Sequence, residues 1–308
     1  MSGAMALACV GLLGLGHLGP TAQGENPLVG RWDLTMHAAA GDYPSWFEVT
    51  REGDSLRGRF QGQVGHATAL AAIRVEGRSF SFFWPNEDDA AAKPTEFRGT
   101  IRPDSSLTGS MLAGDGSRTP FTGIPAPTLQ RPRPPEWDKP IDLLAYGLDG
   151  WSARDPGKNG WSLAAGVLSN TLPSSDLISK QRFTDFKLHV EVNVPKDGNS
   201  GIYLRGRHEV QVQDDYGKEP HSRRMGGIYG QVTPTTLPAK PAGEWQTFDI
   251  TLVGRRVTVV LNGVTIIDNQ EIPGITGGAL DSNEAANGPI MLQGDHTAVQ
   301  YRNIQVTF

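Results

Sequence analysis

The chain has 308 residues, with 28 Lys and Arg against 33 Asp and Glu, 38 Gly, 22 Pro and a single Cys. This length has room for two domains. A formal charge of −5 without a basic block outside one proline-rich stretch argues against a nucleic-acid partner, and the Gly and Pro content with many short alternating runs argues against a helix bundle.

In chain order, residues 1–24 (MALACVGLLGLGHLGPTAQG after the first few) read as a secretion signal. An apolar core is followed by small residues, with cleavage expected after Gly24. The apolar run is short for a bilayer span, so no integral membrane span is expected in the mature chain, which would be periplasmic or extracellular. A buried helix is the other reading of the same run. Cys9 lies inside it. The mature chain would then have no disulfide, no thiolate metal site and no cysteine nucleophile.

Residues 27–124 read as a β-rich accessory domain. GRWDLTM, SWFEVTRE, LRGRFQGQV, ALAAIRVEG, SFSFFWP, EFRGTIRP and LTGSMLAG are short strands separated by turn residues. Their spacing predicts a small antiparallel barrel or sandwich, and Gly30-Arg31-Trp32 resembles the opening of lipocalin-like barrels. Residues 125–140, PAPTLQRPRPPEWDKP, form a proline-rich linker, a stiff spacer in which Arg131 and Arg133 are expected to be solvated. Residues 141–308 form a second all-β domain. KLHVEVNVP, SGIYLRG, HEVQVQD, WQTFDITLVG, RRVTVVLNGVTIID, GPIMLQGD and AVQYRNIQVTF are its strands, and Asn262-Gly263 marks a hairpin turn. The alternation predicts two stacked antiparallel sheets in a jelly-roll arrangement.

The candidate site lies in SGIYLRGRHEVQVQDD, residues 200–215. Ile202, Leu204, Val210 and Val212 share one face; Tyr203, Arg205, Glu209, Gln211 and Gln213 share the other, with Gly206-Arg207 as the turn. A face offering a guanidinium, a carboxylate, amides and a phenol suits a sugar, with rings stacking on the pyranose and polar groups binding hydroxyls. Tyr203, Tyr229 and Trp245 are candidate rings. Gln293 opposes the apolar face of its strand, and Asp295-His296 follows at the strand end, where His296 is placed to act as a base. No metal motif appears. Asp214-Asp215 with Gly217 could contribute to a calcium loop, but the ligand set falls short of an EF-hand, so no cofactor is expected.

PIDLLAYGLDGW, NSGIYLRGRHEVQVQDDYG, GGIYGQVTP, GEWQTFDITLVGRRVTVVLNG and GPIMLQGDHTAVQYRNI, in this order, resemble the 3-keto-disaccharide hydrolase family over residues 140–308. The opening LLAYGLDGW departs from the family's usual L-F-N-G-x-D-L-x-G-W at the Phe and Asn. The N-terminal part more loosely resembles a β-rich extension found ahead of this domain in some members. The resemblance implies a concanavalin-like jelly roll acting on a glycoside already oxidised at C3. The ketone acidifies the C2 hydrogen, a base removes it, the C1 substituent leaves, and water then adds.

Under that reading Glu209 or His296 is the base, and Arg205 stabilises the enolate. Gln211 and Gln293 orient hydroxyls, and Asp214 or Asp295 holds a partner in place. The run Glu209, Gln211, Gln213 has amides where jelly-roll glucanases alternate acids, which favours elimination or plain binding over direct hydrolysis. Two alternatives stand beside it. One is a noncatalytic carbohydrate-binding module. The other is a conventional glycosidase, which needs two carboxyls about 5–9 Å apart. The expected partner is an oligosaccharide or glycoside.

Overall fold

The computed structural model describes residues 26–86, 89 and 91–308. The expected secretion signal lies outside the described residues. The first nine strands are β1 (Gly30–Ala38), β2 (Gly41–Glu52), β3 (Ser55–Gln61), β4 (Thr68–Ala69), β5 (Ala71–Glu76), β6 (Ser79–Trp84), β7 (Thr95–Ile101), β8 (Leu107–Leu112) and β9 (Arg118–Pro125). They form one antiparallel sheet in the order β4-β3-β2-β1-β9-β8-β7-β6-β5. The end strands β4 and β5 are consecutive in the chain, separated by Leu70 alone, so the sheet nearly closes on itself as a barrel. Alternating residues point inward, and Trp32, Phe47, Phe60, Phe80, Phe82, Phe97 and Phe121 fill the interior. Aromatic contacts run through it, such as Phe82 stacked on Phe97 with ring centres 4.8 Å apart.

The remaining strands build a sandwich. They are β10 (Ile141–Asp142), β11 (Trp151–Ala153), β12 (Trp161–Ala164), β13 (Val167–Asn170), β14 (Leu177–Phe183), β15 (Phe186–Asn193), β16 (Asn199–Leu204), β17 (His208–Gln213), β18 (Trp245–Val253), β19 (Arg256–Leu261), β20 (Val264–Glu271), β21 (Gly288–Leu292) and β22 (Gln300–Thr307). One sheet runs β12-β13-β22-β15-β18-β19-β20, with β10 beside β22; the other runs β11-β14-β21-β16-β17. Their inner faces share one apolar core, including Val190, Phe248, Ile250, Val259, Ile202, Val210, Ile290 and Leu292. The Asn262-Gly263 hairpin is as expected: both residues have positive φ, 51° and 80°, the requirement of a two-residue turn that follows strand twist. The protein is thus all-β, a barrel-like sheet followed by a jelly-roll sandwich.

The barrel docks on the five-stranded sheet through the segment between β20 and β21. Trp46 packs with Ile275 and Ala279. The backbone N–H of Gly278 donates to the carbonyl of Gln63 at 2.9 Å, and Arg31 pairs with Glu271. Beneath these lies a buried group of charges. Asp33 of the barrel meets Glu284 of the sandwich, and Glu284 pairs with Arg255. Burial, and next the Glu284 charge, push the Asp33 carboxyl far above the usual range, so it keeps its proton at neutral pH and can donate it to Glu284.

The proline-rich stretch is fastened rather than free, which corrects the expectation that Arg131 is solvated. Arg131 forms a two-point pair with Asp185, 2.5 and 3.0 Å. Arg255 donates to the carbonyl of Pro127 at 2.9 Å, and Lys187 lies over the ring of Trp137 at 5.0 Å.

The Asp33–Glu284 proton gives the interface a pH dependence. The folded state holds a proton that the unfolded chain releases near the ordinary carboxylate range, so stability falls as pH rises above that range. Asp33→Asn supplies a permanent N–H donor to Glu284 and removes this titration. Thermal melts between about pH 7 and about pH 10 should show the variant gaining on wild type by about 1 kcal/mol or more at the alkaline end. Parallel curves would show that no proton is held there.

Candidate active site

The site lies on the outer face of the five-stranded sheet, where the barrel covers it. A cleft of about 340 Å³ is lined by Arg154, Asp176, Asn199, Tyr203, Glu209, Gln211, Tyr229, residues 277–280, Gln293, Asp295 and His296 of the sandwich. Asp42, Tyr43, Pro44, Gln63, Val64 and Gly65 of the barrel complete it. That volume lies within the range of small-molecule sites.

Strands β16 and β17 set the floor by their register. Tyr203 pairs with Glu209 and Gly201 with Gln211 on the cleft side, while Ile202 pairs with Val210 on the core side. Strand β17 is at the edge of its sheet, and residues 226–229 cover that edge. Gly226 N donates to Gln211 O at 2.8 Å, Gln211 N to Gly227 O at 2.9 Å, and Tyr229 N to Glu209 O at 3.0 Å. The hydroxyl of Thr276 accepts from Glu209 N at 2.9 Å. Both the N–H and the carbonyl of Glu209 are therefore held at the outer edge of β17.

Glu209 is 4% exposed. Its Oε2 lies 3.1 Å from the Tyr203 hydroxyl, which can also donate to the carbonyl of Gly277 at 2.9 Å. Burial raises the Glu209 carboxyl to about 8, against the opposing pull of Tyr203 and of a charged His296, while Asp176 and Asp295 add to the rise. Gly201 provides the space: a Cβ there would lie 2.4 Å from Glu209 Oε1. Across the cleft His296 Nδ1 bonds to Asp295 Oδ1, which raises the imidazole and lowers the carboxylate, the hydrogen bond being the largest cause for each. Arg154 pairs with Asp176 at 3.1 Å and donates to the carbonyl of Gly278 at 2.9 Å. Burial still holds the Asp176 carboxyl above its ordinary value.

Two amides supply open acceptors. Gln211 donates to Asn199 Oδ1 and Gln213 Oε1, each at 3.0 Å. Its own Oε1 and that of Gln293 are buried with no hydrogen-bond partner among the described residues. Buried carbonyl oxygens left open in a cleft are positioned to accept from ligand hydroxyls. Among the described residues no group of three or more His, Cys, Asp or Glu side chains is arranged to hold a metal ion.

Seven residues expected from the sequence come together here: Tyr203, Glu209, Gln211, Tyr229, Gln293, Asp295 and His296. Three do not. Arg205 sits at the β16–β17 turn with φ of 53°, so strand parity no longer governs its direction. It is fully buried, donating to the carbonyls of Gly254 at 2.7 Å and Glu284 at 3.4 Å, away from the cleft. Trp245 opens β18 in the other sheet, with the Arg302 guanidinium 4.0 Å above its ring. Asp214 falls just past the end of β17 and accepts from Asp197 N at 3.0 Å. Sequence reasoning missed Arg154, Asp176, Asn199 and the barrel residues. Arg154 and Asp176 stand in irregular segments next to strands, where no alternation assigns a face. Four carboxylates line the cleft, Asp42, Asp176, Glu209 and Asp295, each from a different segment. The number of acids therefore does not separate elimination from direct hydrolysis.

Residues 142–307 match the family described as the 3-keto-alpha-glucoside-1,2-lyase-like domain. The chain belongs to this family. It is thereby a member of a carbohydrate-active, glycosyl hydrolase-like group. Two solved structures from Parabacteroides distasonis ATCC 8503, both described as candidate glycosyl hydrolases, resemble the chain. One has 29% identity and a TM-score of 0.49, over 57% of this chain and 92% of that one. The other has 23% identity and a TM-score of 0.44, over 55% of this chain and 98% of that one. No curated protein sequence matches.

The space beside Gly201 is what the Glu209 carboxyl occupies in this floor. Gly201→Ala forces a methyl group against the Glu209 carboxyl and should cost about 1–3 kcal/mol in a denaturant or thermal titration. An unchanged melting curve would show that Glu209 has another position open to it.

Proposed function

We propose that the protein cleaves 3-keto-glycosides by elimination followed by hydration. The reading rests on membership of the 3-keto-alpha-glucoside-1,2-lyase-like family. The single observation that carries it further is the buried Glu209 carboxyl in the same cleft as the Asp295–His296 pair, close enough to feel its charge. A carboxylate with a proton affinity near neutrality is a stronger base than an ordinary one, as removal of a hydrogen from carbon requires.

The steps balance. Ionised Glu209 takes the C2 proton, and the C2–H electrons form the C1=C2 bond as the C1–O bond breaks, passing through the C3 enolate. Arg154 and the His296 imidazolium are the cations of the cleft available to that enolate charge. The leaving oxygen takes a proton from His296. Water then adds across C1=C2: neutral His296 takes its proton as the hydroxyl bonds to C1, and Glu209, after exchange with solvent, returns a proton to C2, so both groups are restored and the net reaction is hydrolysis. The amide oxygens of Gln211 and Gln293 hold sugar hydroxyls, and the Tyr203 hydroxyl holds Glu209 in place. Arg205, remote from the cleft, takes no part in this scheme. The apolar leader in residues 1–24 supports export to the periplasm or the exterior as part of the same reading.

Proton NMR in D2O with a 3-keto-disaccharide tests the proposal directly. Loss of the C2 proton signal and release of 3-keto-hexose are expected, with the unoxidised disaccharide untouched. Cleavage of the unoxidised sugar would assign a conventional glycosidase, and line broadening alone in both tubes a binding module. Glu209→Gln should lower kcat by about 10²-fold or more. With ionised Glu209 as base and protonated His296 as acid, kcat/KM passes through a maximum with pH, because one group must lose its proton and the other must keep it. A profile that rises with no alkaline limb would remove His296 from the role of acid.

A further inference from the structure

The barrel contributes chemistry to the cleft as well as cover. Asp42 and Tyr43 come from the start of β2, and Gln63 follows β3. Their placement is built in. The Gln63 carbonyl accepts from Gly278 N at 2.9 Å. Gly277 comes so near Gly65 that a Cβ on it would lie 2.4 Å from the Gly65 oxygen. The Asp42 carboxylate is held by His37 Nδ1 at 3.0 Å. All of these barrel residues lie outside the segment matched to the family, residues 142–307.

The sandwich already supplies what the reacting ring needs: Glu209, the Asp295–His296 pair and two open amide oxygens. A terminal 3-keto-glycosyl ring has one large substituent, the group that leaves from C1. The barrel wall is the part of the cleft left over for it. A carboxylate, a phenol and an amide offer an aromatic face, hydrogen-bond acceptors and donors, a set matched to a hydroxyl-rich group rather than to an apolar aglycone.

We propose that Asp42, Tyr43 and Gln63 of the barrel form the leaving-group subsite and select a sugar or polyol there. This rests on the 3-keto-glycoside reading above. A polar subsite discriminates because removing one side of a hydrogen bond leaves the other unpaired in the cleft.

The test compares a 3-keto-disaccharide with methyl 3-keto-glucoside, whose leaving group is too small to reach the barrel. The ratio of kcat/KM for the two is measured for wild type, Asp42→Asn and Tyr43→Ala. Each variant should lower the ratio about tenfold, chiefly by raising KM for the disaccharide. Asp42→Asn preserves shape, so it keeps the test valid where Tyr43→Ala disturbs folding. A ratio within about twofold of wild type, whether both activities are kept or both fall together, overturns the subsite. Wild type that cleaves the methyl glycoside but not the disaccharide also overturns it and leaves the reaction standing. Wild type that cleaves neither overturns the 3-keto-glycoside reading and the subsite with it.

Discussion

A carboxyl group held out of water is the constraint around which the sandwich's outer face is arranged. Glu209 can be buried there because Gly201, on the neighbouring strand, presents no side chain toward it. Its backbone N–H is bonded to Thr276 and its carbonyl to Tyr229, which holds the outer edge of the strand in place. Tyr203 offers a hydroxyl without neutralising the group. Burial of this kind opposes stability, and it persists because the apolar face of the same two strands is locked into the core through Ile202, Leu204, Val210 and Val212. One face of the hairpin supplies the stability and the other face the chemistry.

The same division of labour holds between the two parts of the molecule. The barrel carries its own aromatic core, and its rim loops reach the cleft only because the docking surface fixes their height. That surface combines apolar packing at Trp46 with buried charge at Asp33, Glu284 and Arg255. His208 and Arg205 stand beside this group, and burial keeps the His208 imidazole well below its ordinary value and therefore neutral. Much of the charge carried by the 205–209 segment thus belongs to the interface, with Glu209 alone of its ionisable groups turned into the cleft.

This explains how far the sequence could be read. Alternation in 200–213 correctly separated core from cleft because strand parity is a local property, and Asn262-Gly263 identified its hairpin for the same reason. Parity failed at Arg205, where the backbone turns through positive φ and the side chain swings toward the interface. It also failed to say which sheet a ring belongs to: Trp245 alternates as well as Tyr203 does, but stands on the opposite layer. The contribution of Asp42, Tyr43 and Gln63 left no local trace, because it depends on how two separately formed sheets meet. The motif order over residues 140–308 carried the family assignment, since it is a property of the whole segment rather than of any one strand.

The docking surface also governs what can be exchanged over evolutionary time. Glu284 and Arg255 belong to the sandwich, while the proton that completes their arrangement belongs to Asp33 of the barrel. Gly274 lies directly under Trp46, close enough that any side chain there would collide with the indole. The segment from 274 to 284 is thus written for this barrel. A descendant that lost the barrel would inherit a hollow and an uncovered ion pair, and would have to rewrite that segment before the sandwich could stand by itself. In this chain the two halves are fitted to each other at Gly274, Glu284 and Asp33, although each has the outline of a portable cassette.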